Sequence, residues 1–238
     1  MTDKGRKSKI LKAFYSSLFS FFGPQRWWPG DTRFEVIVGA ILTQNTNWGN
    51  VEKAVKNLKR HKLLNPARMH NIGVHELARH IRPAGYFNIK AKRVKSFLNH
   101  LFDGYSGSLD KFLKKRTDLL RHELLSINGI GPETADSIVL YAAGRPVFVV
   151  DAYTKRILSR HGLIKEDAAY RDIQRLFMDN LAHDAILFNE YHALFVKAGK
   201  DFCKTKNPLC DACPLGIFLK APFFLSKRGA LGRRDAPA

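Results

Sequence analysis

The sequence predicts an all-α protein, and three observations carry that expectation. Apolar residues recur at three- and four-residue steps through most of the 238 residues, the spacing of an amphipathic helix. Strand-like alternation is nearly absent, with Val147-Phe148-Val149-Val150 the one short β-rich run. Helix start and stop signals punctuate the chain throughout. In order, the periodicity predicts helices over Ile10–Phe22, Phe34–Leu42, Val51–Leu58, Val94–Leu101 and Leu119–Leu125. It continues over Ala135–Ala143, Tyr153–Leu158, Ile173–Leu181 and Ile186–Ala198. Asp31, Ser108 and Asp151 each stand where an N-cap belongs, since their side chains can accept from orphan backbone amides. Loops are expected at Gly23-Pro24, Pro29-Gly30, Pro66, Pro83-Ala84-Gly85 and Gly144-Arg145-Pro146.

Charge narrows the partners. Forty Lys and Arg against 21 Asp and Glu leave +19 at pH 7, a balance that favours a polyanion and nucleic acid first. The polar start Met1–Lys7 does not read as a secretory leader. No stretch approaches a membrane span. The expected setting is therefore cytoplasmic, nucleoid-associated in a prokaryote, for a monomer with no membrane partner. All three cysteines fall within Cys203–Cys213, too few and too clustered for a disulfide scaffold. Metal or redox chemistry is the better reading of such a cluster.

The densest signal is Leu125-Ser126-Ile127-Asn128-Gly129-Ile130-Gly131-Pro132-Glu133-Thr134-Ala135. It reads as a helix end, a tight Gly-x-Gly turn and a new helix start. Glycines there allow positive φ and leave no Cβ in the way of a ligand. Amides of the turn and of the new helix can then grip a phosphate. Gly-x-Gly alone is weak evidence, because an ordinary helix connection can carry it. Asp151 stands twenty residues after Gly131, inside Phe148-Val149-Val150-Asp151-Ala152-Tyr153-Thr154-Lys155-Arg156.

This hairpin with its downstream carboxylate resembles the helix-hairpin-helix DNA glycosylases of the endonuclease III superfamily, over nearly the whole chain. The resemblance implies a central helical domain over 25–145 that ends at the hairpin. A second helical domain would combine 1–24 with 146–221 and carry Asp151 and the cysteines, with DNA and an extruded base in the cleft between. Residues 222–238 would be a disordered basic tail. Asn128, Gly129, Ile130, Gly131 and Thr134 are expected to hold DNA phosphate, and Asp151 to be the carboxylate that stabilises positive charge on the sugar and orients water. Glu133 stands where bifunctional relatives have a lysine. A carboxylate cannot form the Schiff base that strand cleavage needs, so water is the expected nucleophile and AP lyase activity is not expected.

The segment Trp27-Trp28-Pro29, with Phe34–Asn47 and Trp48, resembles the 3-methyladenine glycosylase branch. Carried over, Trp27 and Trp48 would sandwich the flipped base, with Trp28 and Pro29 lining the pocket. A ring made cationic by methylation gains a cation–π term there. Gln44 would fill the space the base leaves, although a polar residue at a helix end reads equally well as a cap. Tyr86, in Ala84–Lys92, would be a wedge on the opposite strand. Cys203-x6-Cys210-x2-Cys213 matches three of the four ligands of the family's [4Fe–4S] loop, and Leu219 stands where the fourth belongs. A cluster with a non-cysteine fourth ligand, an incomplete or labile iron–sulfur cluster, and a metal-free loop all remain open. The expected activity is monofunctional removal of alkylated purines from double-stranded DNA in base-excision repair. An endonuclease III-like glycosylase of oxidised pyrimidines or mismatches, and a non-catalytic DNA-binding protein, are the alternatives.

Overall fold

A computed structural model describes residues 3–219; the tail expected over 222–238 lies outside them. The described residues are helical throughout, with no β-strand. None of these helices is long and apolar enough to cross a membrane. The chain divides into two compact units, one over 26–149 with 183–189, the other over 3–25, 150–182 and 190–219.

The first unit is built around α2 (Arg33–Leu42), buried from Phe34 to Leu42. A helix apolar on every side must sit inside a core. It packs against α3 (Trp48–Arg60), α6 (Phe87–Tyr105), α9 (Pro132–Ser137) and a π-helical turn (Ile138–Ala142). Its one charged buried residue, Glu35, is paired with Lys59 at 2.7 Å, which offsets the desolvation cost. Thr32, rather than Asp31, caps α2 by accepting from the Glu35 amide. Asp31 instead pairs with Lys59.

A helix begins where a loop was expected at Pro66, and a second follows in a stretch for which the sequence carried no expectation. Pro66 is the first residue of α4 (Pro66–Asn71), capped by the Asn65 side chain on the Arg68 amide. Proline suits a first helical position, where its missing N–H has no partner to lose. Next comes α5 (Val74–His80), then a 3-10 turn (Arg82–Ala84). After α6 come α7 (Leu109–Leu113), capped by Ser108 as expected, and α8 (Thr117–Ser126). The β-rich run 147–150 is buried but forms no strand.

The second unit contains α1 (Asp3–Phe22), α10 (Ala152–Arg160), α11 (Tyr170–Met178) and α12 (Ala185–Asp201) from Glu190 onward. Its core is aromatic: Tyr191 meets Phe177 and Phe195 at ring centroid distances of 5.5 and 4.8 Å. The buried Tyr191 hydroxyl donates to the Leu11 carbonyl at 2.8 Å, so this large ring carries no unsatisfied polar atom.

Candidate active site

The hairpin joins α8 to α9 through a turn closed by Ile130 N–H donating to Ile127 O at 3.0 Å. Gly129 has φ +87, which the third residue of such a turn demands. A Cβ there would also overlap the Arg93 side chain. Gly131 differs from expectation. Its φ is −90 and nothing stands where its Cβ would be, so its value is open space rather than a special backbone. Gly129→Ala should therefore destabilise the protein by about 2 kcal/mol, from left-handed strain and overpacking; thermal unfolding checks this. The corresponding Gly131→Ala change should leave thermal unfolding unmoved.

The candidate phosphate residues face different ways. Asn128 and Gly131 are exposed, whereas Ile130 and Thr134 are buried. The start of α9 leaves the amide of Thr134 without an i−4 carbonyl inside the helix. Glu133 is exposed in that first turn. Gln44 does not project freely. Its Nε2 donates to Gly129 O and to Thr134 Oγ1, both at 2.9 Å, and its Oε1 accepts from Arg93. Below the turn, Arg121 holds Asp136 with two parallel contacts of 2.6 and 3.1 Å. That pair locks α8 to α9. Neither Arg93 nor the Arg121–Asp136 pair announced itself in the sequence, because single charges on helices read as solvated faces.

The three tryptophans come together, though not as a sandwich. Trp27 and Trp48 have ring centroids 5.2 Å apart with planes at 64°. Trp28 meets Trp27 at 5.1 Å and Trp48 at 5.0 Å, both edge-on. Two parallel faces with a base-sized gap are not present; the indoles fill one another's space. Tyr141, from the π turn, extends the cluster by lying 5.1 Å from Trp28. The Nε1 atoms of Trp27 and Trp28 are buried with no hydrogen-bond partner. Pro29 is exposed beside them. Gly39 of α2 leaves the room that Trp28 occupies.

Asp151 caps α10, its Oδ1 accepting from Thr154 N at 2.7 Å. Only 11% of its side chain is exposed, and His192 Nε2 stands 3.6 Å from Oδ2. Burial pushes the Asp151 carboxyl up, but His192 and the Thr154 amide outweigh it and hold the group below its usual range. Asp151 is therefore an anion at neutral pH. His192 was not foreseen, since a histidine on an apolar helix face carries no distinguishing pattern.

The cysteines of the second unit share one cavity, lined also by Arg160, His161 and Leu219. Among the described residues, no three His, Cys, Asp or Glu side chains are placed to hold a single metal ion. Both ring nitrogens of His161 already face carbonyls, Ile157 O at 2.8 Å and Leu215 O at 3.2 Å. Leu219 offers no donor. The cavity therefore presents three thiols and lacks a fourth thiolate. Burial pushes the Cys213 thiol up, and its two cysteine neighbours add to this. Arg160 donates to Cys203 Sγ at 3.2 Å and to the carbonyls of Lys204 and Thr205, while Arg156 donates to Cys203 O at 2.7 Å.

Comparison with known proteins meets this geometry at its centre. Residues 38–183, which hold the hairpin and Asp151, match the model of the HhH-GPD superfamily of base excision DNA repair proteins. A Methanocaldococcus jannaschii protein named "Putative DNA repair glycosylase MJ1434" is 49% identical over 217 residues, covering 90% of this chain and 98% of that one. Endonuclease III of Sulfolobus acidocaldarius is 29% identical over 80% of this chain and 84% of its own. Among solved structures, H. pylori 3-methyladenine DNA glycosylase bound to 1,N6-ethenoadenine has a TM-score of 0.71 at 31% identity, over 82% of this chain and 97% of that one. A non-covalent endonuclease III–DNA complex has a TM-score of 0.78 at 24% identity, over 96% and 100%, and so shares the fold. The chain belongs to the HhH-GPD superfamily of base excision DNA repair proteins, as a DNA glycosylase of the endonuclease III kind.

Proposed function

We propose that this glycosylase is monofunctional and removes alkylated purines of the 3-methyladenine type from double-stranded DNA. The observation that carries the reading is the cluster of Trp27, Trp28 and Trp48 with Tyr141. Four π-systems in contact, with two buried indole N–H groups left without acceptors, make a receptor for a flat cation bearing acceptor atoms. A methylated purine is such a ring, and its charge against desolvated indole is worth ~2 kcal/mol. Entry requires one indole to swing aside, and Trp27 comes directly after a residue, Arg26, held at φ +51. The H. pylori relative named for 3-methyladenine adds support.

The chemistry is set by charge. Alkylation weakens the glycosidic bond, so the leaving base needs little protonation. The sugar becomes positive as the bond breaks, and Asp151 supplies the fixed negative charge that favours this. The bonding electron pair leaves with the cationic base, which departs neutral. Asp151 also orients a water whose hydroxyl adds to the anomeric carbon while its proton passes by way of the carboxylate to solvent, leaving an abasic site. Glu133 offers no amine for strand cleavage. Asn128, Gly131 and the first amides of α9 hold a phosphate without reading sequence. Tyr86, 73% exposed, and Gln44, once it lets go of Gly129, Thr134 and Arg93, fill the gap the base leaves. Cys203, Cys210 and Cys213 would hold three corners of an iron–sulfur cluster, whose contribution would be to stiffen their loop.

A panel of labelled duplexes tests this. Release of 3-methyladenine, with abasic sites and no strand break, is the expected result. Release of thymine glycol would move the substrate to oxidised pyrimidines, and binding without any base release would make the chain a non-catalytic binder. Trp48→Ala should slow base release at least about tenfold, the worth of stacking one base on an aromatic ring. Its affinity for undamaged duplex should change about twofold or less, since phosphate contacts dominate there. Equal losses in both would remove the base pocket.

A further inference from the structure

Lys90 is 1% exposed in the first turn of α6. A lysine so deeply buried needs partners, and it has two. Its Nζ donates to Leu42 O and to Ala84 O, each at 2.8 Å. Leu42 is the last residue of α2 and Ala84 the last of the 3-10 turn, so the ammonium sits at the negative ends of both. Two residues beyond Leu42 stands Gln44, and two beyond Ala84 stands Tyr86. Each lies beside a left-handed kink: Asn45 has φ +52, while Gly85 and Tyr86 have φ +67 and +45. One turn further along α6, Arg93 holds Gln44 itself.

We propose that Lys90 is a positioning residue, tying the Gln44 and Tyr86 segments at a fixed separation so that both enter the duplex as one unit. This rests on the reading that Gln44 and Tyr86 fill the space left by the flipped base. The amine cannot act as a nucleophile, because it is enclosed and both carbonyls hold it. Burial, with the nearby Arg93 charge adding to it, lowers the Lys90 pKa to about 8. The clamp is therefore fully charged at pH 6.5 and loses its charge as pH rises through about 8.

The test is single-turnover base release at saturating enzyme, set beside affinity for undamaged duplex. Lys90→Met should slow release about tenfold, the worth of one hydrogen bond to a charged group, and shift undamaged-duplex affinity by about twofold or less because phosphate contacts are untouched. Combined with Tyr86→Ala, the losses should fall well short of their product, as coupled residues require. Lys90→Gln, which keeps a donor NH2 group without the charge, supplies the second reading. In the native protein release should decline as pH rises through about 8, and that limb should be missing in both variants. A lysine that merely supports the core would leave its losses multiplicative with those of Tyr86→Ala. An unchanged rate in Lys90→Met, or fully multiplicative losses with Tyr86→Ala, overturns the proposal while leaving the gap-filling reading intact. Unchanged rates in both Gln44→Ala and Tyr86→Ala would instead sink the gap-filling reading, and with it the claim that Lys90 acts through those segments.

Discussion

Asp151→Asn should abolish most base release while leaving the fold in place. Asparagine caps a helix as well as aspartate does, so the contact to the Thr154 amide survives and thermal unfolding should move little. What disappears is the negative charge. Removing one preorganised electrostatic contact of this kind costs about 10²- to 10³-fold in rate, and single-turnover release from alkylated duplex measures it. Binding to undamaged DNA should hold or tighten slightly, because a carboxylate among phosphates only repels. The pH dependence sharpens the test. The folded carboxyl titrates below its usual 3.8, so its charge persists as pH falls past the value where an unfolded aspartate gains a proton. The stability it contributes is present above that unfolded value and is lost only on further acidification through the folded one. Release should therefore show no acid limb from Asp151 between pH 7 and about 5. A variant that released base at the native rate would remove Asp151 from the chemistry.

Asp136→Ala should be the most damaging change to stability. Asp136 is fully buried and held by Arg121 through two contacts. Breaking such a pair strands the remaining charge and costs about 3–5 kcal/mol. Arg121 keeps partial access to water, so the lower end, about 3 kcal/mol, is expected. For a chain of this size that is a fall of about 6–12 °C in Tm, readable by calorimetry. Phosphate grip should weaken too, since α8 and α9 are the two arms of the hairpin. Replacing both partners by leucine should recover part of the loss. If Asp136→Ala proved thermally silent, the hairpin would owe its rigidity to something else.

The hairpin and Asp151 were legible because backbone chemistry dictates residue type there. A left-handed turn needs Gly129, and a helix start favours Asp151. The long helices were legible from their periodicity. The helices Pro66–Asn71 and Val74–His80 were not, since six or seven residues hold too few repeats to show a period, and Pro66 reads equally as a loop or a first turn. The aromatic character of Trp27, Trp28 and Trp48 was readable, but their edge-on geometry was not, because tertiary packing sets ring angles. Long-range partners left no local trace. Lys90 to Leu42, Arg93 to Gln44 and His192 beside Asp151 join positions dozens of residues apart, where one sequence alone carries no pairing signal.

The π turn at Ile138–Ala142 has a consequence for how this chain can change. Ala143 N–H reaches back five residues to Ile138 O, so the segment carries one residue more than a regular helix of that reach. Deleting that surplus residue would restore the ordinary winding and leave the segments on either side of the splice close to their present bearing, because a wide turn absorbs its extra residue locally. Only the side chains within the turn itself, Tyr141 among them, would be re-aimed. A single-codon loss there would thus be easier to tolerate than one in a regular helix, where each residue removed swings the two ends by about 100° relative to one another.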